Sequence, residues 1–533
     1  MVDGQPDIIV VGGGSAGCAM AGRLAEAGLK VLLLEAGKTG NHIRLKVPAL
    51  VSSVVQNPDF DWAYKAEPDP SIGGRADVWP GGKRLGGGSS INGMIYVRGH
   101  RWDYDNWVRM GASGWSYEDC LPYFRRMERF EHGANAWRGD SGPIGVSDPR
   151  VHYPIVDDWV KAASELGVPR TPDHNGEHPG EGTDHAQATQ LHGLRSAATA
   201  YLKLPRAAPN LRVELETPVC RILFEGRRAV GVEVLRDGER RELRARHGVV
   251  LSAGAMNSPR LLMLSGIGGG EELRGHGLEV LVDRPGVGGN LQEHVGVHVV
   301  NGVNTPTINS EAHGLAAIRN GVDFLFRRRG ILTASMAHGQ TFLRTRADAP
   351  APNLQISFTA FAFDLDAEGK LQMRRTPAVS TVVCLARPQS RGRLSLRSAD
   401  PFAPPVIRHE LLGVEDDVDQ IMDGIRHVRR ILDHPLMRGY ITEDVRPDRA
   451  MEDEALRAYV HLAGFPLYHP VGTCRIGGEE DGVVDPGLRL RGVEGLWVAD
   501  ASVMPSLPVG NTNATAIMIG DKGADHVLAT LRQ

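Results

Sequence analysis

The sequence lacks paired cysteines and long apolar runs. These absences argue against a disulfide-rich or zinc-binding protein and against one that spans a membrane. Its five cysteines are scattered and odd in number, without a CxxC pair: Cys18, Cys120, Cys220, Cys384 and Cys474. This pattern favours neither a disulfide framework nor a zinc site, so we expect no metal. No stretch of about 18 apolar residues is free of charge, and a strand-like run begins already near Asp7, which leaves no room for a signal peptide. We therefore expect a cytoplasmic protein without a transmembrane segment.

The sequence also lacks a large excess of either positive or negative charge. The 533 residues include 60 Lys and Arg against 64 Asp and Glu, for a net charge of -4. Such a balance favours neither a nucleic acid nor an anionic membrane as a partner. The 65 glycines cluster beside apolar runs, which indicates an ordered chain with many tight turns rather than a low-complexity one. The length allows two or more domains.

The most informative stretch is residues 7–37, DIIVVGGGSAGCAMAGRLAEAGLKVLLLEAG. A β-branched run is followed by Gly12-x-Gly14-x-x-Gly17, then by apolar residues at helical spacing, and a second apolar run ends at Glu35. This order predicts a strand, a helix and a second strand that together bind a dinucleotide.

Each glycine has a physical role in such a motif. Gly12 permits the tight turn, Gly14 lets the backbone approach a pyrophosphate, and Gly17 lets the helix pack closely on the strand. Glu35 lies where a carboxylate can accept hydrogen bonds from an adenosine ribose. The motif alone does not separate FAD from NAD, but no second fingerprint follows in more than 500 residues. A single dinucleotide in so long a chain favours a tightly held FAD.

Three further stretches agree with this interpretation. Residues 81–99, GGKRLGGGSSINGMIYVRG, offer glycines and serines whose backbone can approach a cofactor. Residues 248–268 predict a strand, a small-residue turn and a helix that Pro259 starts. A last strand near 496–499 ends at Asp500, where a carboxylate can meet the polar chain of a dinucleotide, and a helix follows from about residue 512.

Together these stretches resemble the glucose-methanol-choline (GMC) flavin oxidoreductases. The likeness rests on the glycine motif and on two signatures, GKRLGGGSSINGMIYVRG and GAMNSPRLLMLSGIG. It is completed by RPGVGGNLQEH, RPQSRGRLSLRSADPFAPPVI, YHPVGTCRIG and VADASVMPSLPVGNTNATAIMIG, in the family's order across nearly the whole chain. The resemblance implies an α/β FAD-binding (Rossmann-like) domain and a second α+β substrate domain built on an antiparallel sheet.

The resemblance also implies that both domains are assembled from separated segments. The FAD-binding domain is expected from residues 1–150, 192–302 and 466–533. The substrate domain is expected from residues 151–191 and 303–465. Within the longer insertion, residues 353–363 and 379–386 are rich in strand-forming residues, and residues 416–434 follow an amphipathic helical pattern.

In this family the catalytic base is the histidine of the HPVGT-type motif, here His469, and its partner is Asn511. A neutral imidazole can accept the hydroxyl proton of an alcohol as hydride leaves the carbon, whereas Asn511 can only donate a hydrogen bond to the developing alkoxide. We expect His294 to be structural. The resemblance further implies these cofactor contacts: Gly12, Gly14, Ser15, Gly17, Glu35, Ala36, Gly86, Gly87, Ser89, Asn92, Gly93, Val219, Asp500, Ala501, Asn513 and Thr515.

The expected reaction is oxidation of a primary alcohol to an aldehyde, with electrons passing to O2 or to a quinone-type acceptor. Phe465, Leu467 and Tyr468 beside the base, together with His338, are candidate substrate contacts. With Phe358, Phe361 and Phe363 of the insertion they indicate an apolar pocket for an aromatic or medium-chain alcohol, although a buried core has the same composition. The alternatives are a choline-type dehydrogenase and a hydroxynitrile lyase-like enzyme that keeps FAD as a structural element. A nicotinamide-dependent dehydrogenase is opposed by the flavin-type signatures.

Some family members attach FAD covalently through a histidine just after the paired serines. That position is Ile91 here, which has no nucleophile, so we predict non-covalent FAD. Acid precipitation of the purified protein is expected to release the flavin into a yellow supernatant. A yellow pellet after washing in denaturant would contradict the prediction.

Overall fold

The computed structural model describes residues 4–365 and 371–532. One centre of the fold is a five-stranded parallel sheet. In spatial order its strands are Leu211–Glu214, Val31–Leu34, Ile8–Val11, Gly248–Leu251 and Leu496–Val498. The three central strands are buried along their whole length, as expected for a parallel sheet covered on both faces. The predicted nucleotide-binding unit is therefore confirmed.

The glycine motif folds as its spacing predicts. The helix Ser15–Glu26 follows the first strand directly, and Gly12 has a φ of +98°, which a residue with a side chain rarely adopts. A Cβ on Gly17 would lie 1.9 Å from the carbonyl oxygen of Gly12. Only glycine permits this contact between the helix and the turn.

The second centre is a seven-stranded antiparallel sheet. Its strands are Gly182–His185, Val295–Val303, Gly339–Leu343, Leu354–Thr359, Ala378–Leu385, Ile441–Arg446 and the short Phe465–Pro466. The helices Pro154–Glu165 and Glu415–Asp433 pack on one face of this sheet. The ring of Phe358 stacks on Trp159 at 4.4 Å on that face, so Phe358 belongs to the core and not to an alcohol pocket.

Sheet membership changes one expected domain limit. The strand Val295–Val303 pairs with Ala378–Leu385 and therefore belongs to the antiparallel sheet, whereas the sequence-based division placed residues up to 302 in the FAD-binding domain. We propose that the second FAD-binding segment ends before Val295. The remaining limits stay predictions.

The helix after the fourth strand of the parallel sheet begins earlier than predicted. It spans Gly254–Leu264, so Pro259 lies inside it and does not start it. Proline cannot donate the hydrogen bond that the carbonyl four residues earlier would accept. That carbonyl, of Ala255, instead accepts a bond from the hydroxyl of Thr473 at 2.6 Å. The C-terminal segment thus compensates for the proline.

The other elements complete the layers around the two sheets. A three-stranded antiparallel sheet is formed by Val219–Glu225, Arg228–Arg236 and Glu239–Arg244. The remaining longer helices are Arg101–Arg109, Tyr117–Met127, Gly314–Arg327, Asp453–Ala463 and Asn513–Leu531. Shorter helices are Ile43–Lys46, Gly88–Ile91, Gly270–Gly275, Ile308–Glu311 and Pro435–Arg438. In residues 4–365 and 371–532, no helix has the length and apolar content that crossing a bilayer requires.

Short strand pairs finish the fold. They are Tyr64–Lys65 with Val78–Trp79, Glu128–Phe130 with Ile144–Val146, Gln190–Leu191 with Leu194–Arg195, Ile267–Gly268 with Val282–Asp283, Phe363–Leu365 with Leu371–Met373, and Arg393–Ser395 with Val406–Arg408. The strand-rich and helical stretches predicted in the insertion are confirmed by Leu354–Thr359, Ala378–Leu385 and Glu415–Asp433.

Candidate active site

The structure brings the two predicted catalytic side chains together. His469 lies in the loop after the strand Phe465–Pro466, and Asn511 lies just before the helix Asn513–Leu531. The Nδ2 atom of Asn511 is 3.0 Å from Nε2 of His469. Residues from two distant parts of the chain therefore form one polar pair.

The backbone of the histidine loop is held by Glu293. Both oxygens of this buried carboxylate accept a hydrogen bond from the backbone N–H of His469, at 2.7 and 2.8 Å. The preceding residue, Tyr468, has a φ of +67°, which is a strained conformation for a residue with a side chain. Strain of this kind persists only where surrounding contacts impose it, and Glu293 supplies such a contact.

The ring of His469 has a second histidine behind it. Nδ1 of His294 lies 3.0 Å from Nδ1 of His469, and Nε2 of His294 lies 3.0 Å from the carbonyl oxygen of Ala386. Because a carbonyl only accepts, His294 carries its proton on Nε2 and presents a bare Nδ1. His469 must then donate from its own Nδ1. Its Nε2 then carries no proton, and the lone pair of that atom accepts from the NH2 group of Asn511.

Both rings are held in the neutral form. Burial lowers the pKa of His294 to about 4. Removal from water, and then the neighbouring His294, hold the pKa of His469 well below its ordinary value of 6.5. At neutral pH His469 therefore offers an unprotonated Nε2, which is the state that a proton acceptor requires.

The amide of Asn511 is oriented by a residue that the sequence analysis missed. Nε2 of Gln355 donates to Oδ1 of Asn511 at 3.2 Å, so the NH2 group of Asn511 is turned toward His469. Gln355 stands inside the strand Leu354–Thr359 among apolar residues. No motif marks it, and only the register of the sheet places it at the site.

The backbone around Gly14 is accessible where the glycine motif predicts a dinucleotide. The helix Ser15–Glu26 has no side-chain N-cap, and a Cβ on Gly14 would meet only one atom, the Ser252 carbonyl oxygen at 3.9 Å. The helix Asn513–Leu531 also lacks a side-chain cap, and its first residue accepts a hydrogen bond from Ser15 at 2.8 Å. Two helix N-termini without side-chain caps thus meet at one place, which suits the anionic and polar groups of FAD.

Several of the predicted cofactor residues use their side chains within the protein. Glu35 accepts from the backbone amides of Gly13 and Gly37, at 2.9 and 2.7 Å. Asp500 accepts from Ser258 at 2.6 Å and from two backbone amides. A carboxylate has about four acceptor positions, so Glu35 retains capacity for a ribose hydroxyl, whereas Asp500 is committed mainly to the helix Gly254–Leu264.

The loop that precedes Gly93 is tied down in a similar way. Ser89 donates to the carbonyl of Gly86 at 2.6 Å, and Oδ1 of Asn92 accepts from Arg195 at 2.6 Å. A Cβ on Gly87 would lie 2.7 Å from Cα of Gly14. The two glycine-rich loops are therefore in direct contact and can enclose a cofactor together. Ile91 is buried at the end of the short helix in this loop.

Arg195 is a second residue that the sequence analysis missed. It is nearly buried, and burial alone lowers its pKa to about 9. Its Nη1 bonds Asn92, while Nε and Nη2 have no hydrogen-bond partner among the described residues. Unpaired polar atoms in such a position fit a site that is completed by a bound group.

The candidate substrate contacts lie in different surroundings. Phe465 stacks flat on His298, with ring centroids 4.7 Å apart, and the backbone N–H of Leu467 donates to the carbonyl of His294. Tyr468 is 41% exposed. His338 is buried, and its Nδ1 accepts from the backbone N–H of Ala360 at 3.2 Å. The first three residues border the histidine loop, whereas the recorded contacts of His338 are with other parts of the substrate domain.

Comparison with protein-family models gives two matches. The model described as GMC oxidoreductase matches residues 6–296, and a second model with the same description matches residues 388–520. Curated relatives align along nearly the whole chain. One is the oxygen-dependent choline dehydrogenase of Brucella anthropi, 39% identical over 98% of this chain and 96% of its own length. Another is the mitochondrial choline dehydrogenase of Mus musculus, 39% identical over 97% of this chain and 88% of its own length.

Solved structures share the fold. Formate oxidase of Aspergillus oryzae superposes with a TM-score of 0.92 at 27% identity, and the alignment covers 100% of both chains. Pyridoxine 4-oxidase from Mesorbium loti superposes with a TM-score of 0.87 at 26% identity, over 98% of this chain and 99% of the other. These matches confirm the FAD-binding Rossmann-like domain and the second domain on an antiparallel sheet.

The hydrogen-bond directions predict the protonation of His469. In the holoprotein at pH 6.5 we expect its ring to be neutral and protonated on Nδ1, because His294 can only accept there. Nitrogen NMR of histidine-labelled protein, assigned with His469→Gln, measures this. Replacement of the acceptor in His294→Phe should weaken the preference for that tautomer, because only the Asn511 donor at Nε2 then favours it. A His469 ring that is charged at pH 6.5, or protonated on Nε2 alone, would contradict the arrangement.

Proposed function

The chain belongs to the GMC oxidoreductase family, and we propose that it oxidises a primary alcohol to an aldehyde, with His469 as the proton acceptor. Membership of this family makes it an FAD-dependent oxidoreductase that acts on CH–OH donors. The observation that carries the proposal is the neutral His469, whose unprotonated Nε2 lies 3.0 Å from the amide nitrogen of Asn511.

The residues supply what the oxidation of an alcohol requires. An alcohol is too weak an acid to lose its proton unaided, so Nε2 of His469 accepts that proton while the carbinol carbon is oxidised. The NH2 group of Asn511 donates to the oxygen as negative charge develops on it. A fixed donor of this kind lowers the barrier by about 3 kcal/mol in other enzymes. Bound FAD supplies the hydride acceptor that side chains lack.

His294 keeps the reactive atom of His469 constant. Because His294 accepts from Nδ1 of His469, the His469 ring cannot turn its proton toward the substrate without losing that hydrogen bond. The residues that hold the base are also distinct from the glycine-rich loops proposed to bind FAD. Loss of the base should therefore leave cofactor binding in place.

The replacement His469→Ala tests the proposal. We expect the variant to keep its yellow flavin and to reduce it with alcohol about 10² to 10⁴ times more slowly under anaerobic conditions, because only the proton acceptor is lost. Stopped-flow spectroscopy measures the rate. His247→Ala, at an exposed histidine, is the matched control and should behave as the wild type. Near-normal reduction in His469→Ala would reject this base. If no alcohol bleaches the wild-type flavin, oxidation is refuted and a lyase becomes the better hypothesis.

For the substrate, the relatives support choline. Those at 39% identity are named choline dehydrogenases, and a quaternary ammonium is bound by aromatic rings or a carboxylate. The stacked rings of Phe465 and His298 lie close to the histidine loop and are candidates for that contact. Burial lowers the pKa of His298 to about 4, so this ring is neutral and does not repel a cation.

A second candidate substrate is an uncharged alcohol, for example an aromatic alcohol, that carries a hydrogen-bond acceptor away from its hydroxyl. On its four central strands, the face of the antiparallel sheet that carries Gln355 has no acidic side chain, no Lys or Arg, and one histidine, the neutral His298. In register these residues are Gly296, His298, Val300, Gln340, Phe342, Gln355, Ser357, Thr359, Ser380, Val382 and Cys384. A face of this composition offers no counter-ion to choline.

One buried group on this face has no partner. Oε1 of Gln340 accepts from Ser357 at 2.7 Å, which turns the NH2 group of Gln340 away, and its Nε2 has no hydrogen-bond partner among the described residues. Ser357 follows Gln355 by two residues, so the free amide lies about 7 Å along the strand from the Asn511 contact. That spacing suits a substrate with an acceptor at the end opposite its hydroxyl.

The replacement Gln340→Met distinguishes the two substrate classes. We expect it to raise KM about tenfold for para-methoxybenzyl alcohol and to leave para-methylbenzyl alcohol and choline unchanged, because only the first has an acceptor to lose. Initial rates measured under air and with a quinone dye give these constants. Hydrogen peroxide formed in step with turnover identifies O2 as the acceptor. A wild-type enzyme that uses choline alone would favour the choline assignment and exclude the second candidate.

A further inference from the structure

The helix Gly314–Arg327 differs from ordinary surface helices, which bury their apolar face against the protein. Its large apolar side chains point to solvent, and their exposed fractions are among the highest of such residues in the described chain. They are Leu315 at 85%, Ile318 at 65%, Val322 at 49%, Leu325 at 67% and Phe326 at 82%. Their spacing of three, four, three and one places them on one face. The helix therefore exposes a continuous apolar stripe.

The orientation of this helix is fixed by its opposite face. Phe324 is 4% exposed and Asn320 is 6% exposed. The Asn320 amide bonds residues on both sides of the helix: its Nδ2 donates to the carbonyl of Glu311 at 3.4 Å, and its Oδ1 accepts from the backbone N–H of Ile331 at 3.5 Å. The guanidinium of Arg328 lies 5.0 Å from the ring centroid of Phe324. The apolar stripe thus faces outward because the other side is anchored to the protein.

Positive charge surrounds the stripe. Residues 314–330 contain four arginines, Arg319, Arg327, Arg328 and Arg329, and one acid, Asp323, so this segment has a net charge of +3, while the chain as a whole has -4. Asp323 is already paired with Arg327 at 3.3 Å. Arg319, Arg328 and Arg329 are exposed, and none of the acidic residues in 4–365 and 371–532 forms an ion pair with them.

We propose that this helix docks the protein on an anionic phospholipid bilayer. The stripe enters the boundary between headgroups and acyl chains, and the arginines contact lipid phosphates at the same depth. Charge complementarity selects this occupant. A second copy of the chain would bring the same net positive charge against the stripe, whereas an anionic lipid surface neutralises it. The helix lies in the plane of the surface and does not cross it.

A flotation experiment with the FAD-loaded full chain tests this directly. Vesicles of phosphatidylcholine alone and of phosphatidylcholine with phosphatidylglycerol are compared at low and high salt. We expect the protein to float with the anionic vesicles and to be released by salt, because exposed charge pairs are screened. Absence of binding to anionic vesicles at low salt would overturn the proposal.

A matched pair of variants locates the binding surface. Ile318→Ser combined with Phe326→Ser removes two members of the stripe, and Ile43→Ser removes an isoleucine of similar exposure, 62%, elsewhere. The double variant should lose at least tenfold in the vesicle-bound fraction, and Ile43→Ser should float as the wild type does. Arg319→Glu with Arg329→Glu should also lose binding. Equal binding by all variants would reject this helix as the docking element.

Two further measurements distinguish lost lipid binding from unfolding and from a change in oligomeric state. Flavin content and activity on a soluble alcohol without vesicles should be the same in all variants, which shows that the fold is intact. Sedimentation velocity measures the oligomeric state. If the wild type is a dimer and the double variant a monomer, the stripe pairs two copies and the lipid proposal fails. An unchanged oligomeric state together with lost flotation supports it.

Discussion

One line of hydrogen bonds governs the candidate site. It runs from the carbonyl of Ala386 through His294 and His469 to Asn511 and Gln355. The carbonyl of Ala386 can only accept, so His294 is protonated on Nε2. His294 then accepts at Nδ1, and His469 is protonated on its own Nδ1. The line has one arrangement in which both histidines are neutral and every contact pairs a donor with an acceptor. In that arrangement the unprotonated Nε2 of His469 accepts from the NH2 group of Asn511, and this is the atom proposed to receive an alcohol proton.

This line exists only because the two sheets are tied together. The strand Phe465–Pro466 pairs with the start of Val295–Val303, which brings the histidine loop beside Glu293 and His294. From there the chain passes to the other sheet, and the hydroxyl of Thr473 fills the position that Pro259 leaves open. His469 is thus held by the antiparallel sheet on one side and by the segment that packs on the parallel sheet on the other. A shift of either domain would change the distance from His469 to Asn511.

The sequence predicts the parts of the site that depend on local pattern. The glycine motif requires a particular backbone, and the prediction of its turn and helix is correct. His469 and Asn511 come from the family resemblance, and the structure places them in contact. Gln355, Gln340 and Arg195 could not be predicted, because their places depend on sheet register and on packing between distant segments. The predicted helix start at Pro259 is wrong for the same reason, since Thr473, which bonds the carbonyl of Ala255 that the proline leaves without a partner, lies more than two hundred residues away in the chain.

The net charge of the whole chain does not reveal the apolar and positively charged surface of the helix Gly314–Arg327. A net charge of -4 argues against an anionic partner only if charge is evenly spread, yet residues 314–330 alone carry +3. The apolar spacing of this helix is also compatible with a buried face, and only the anchoring of Phe324 and Asn320 turns the stripe outward. The same inserted segment carries Gln340 and Gln355, whereas His469 and Asn511 come from the C-terminal part. Changes in the insertion can therefore alter the proposed substrate contacts and the proposed docking surface while His469, the proposed proton acceptor, stays the same.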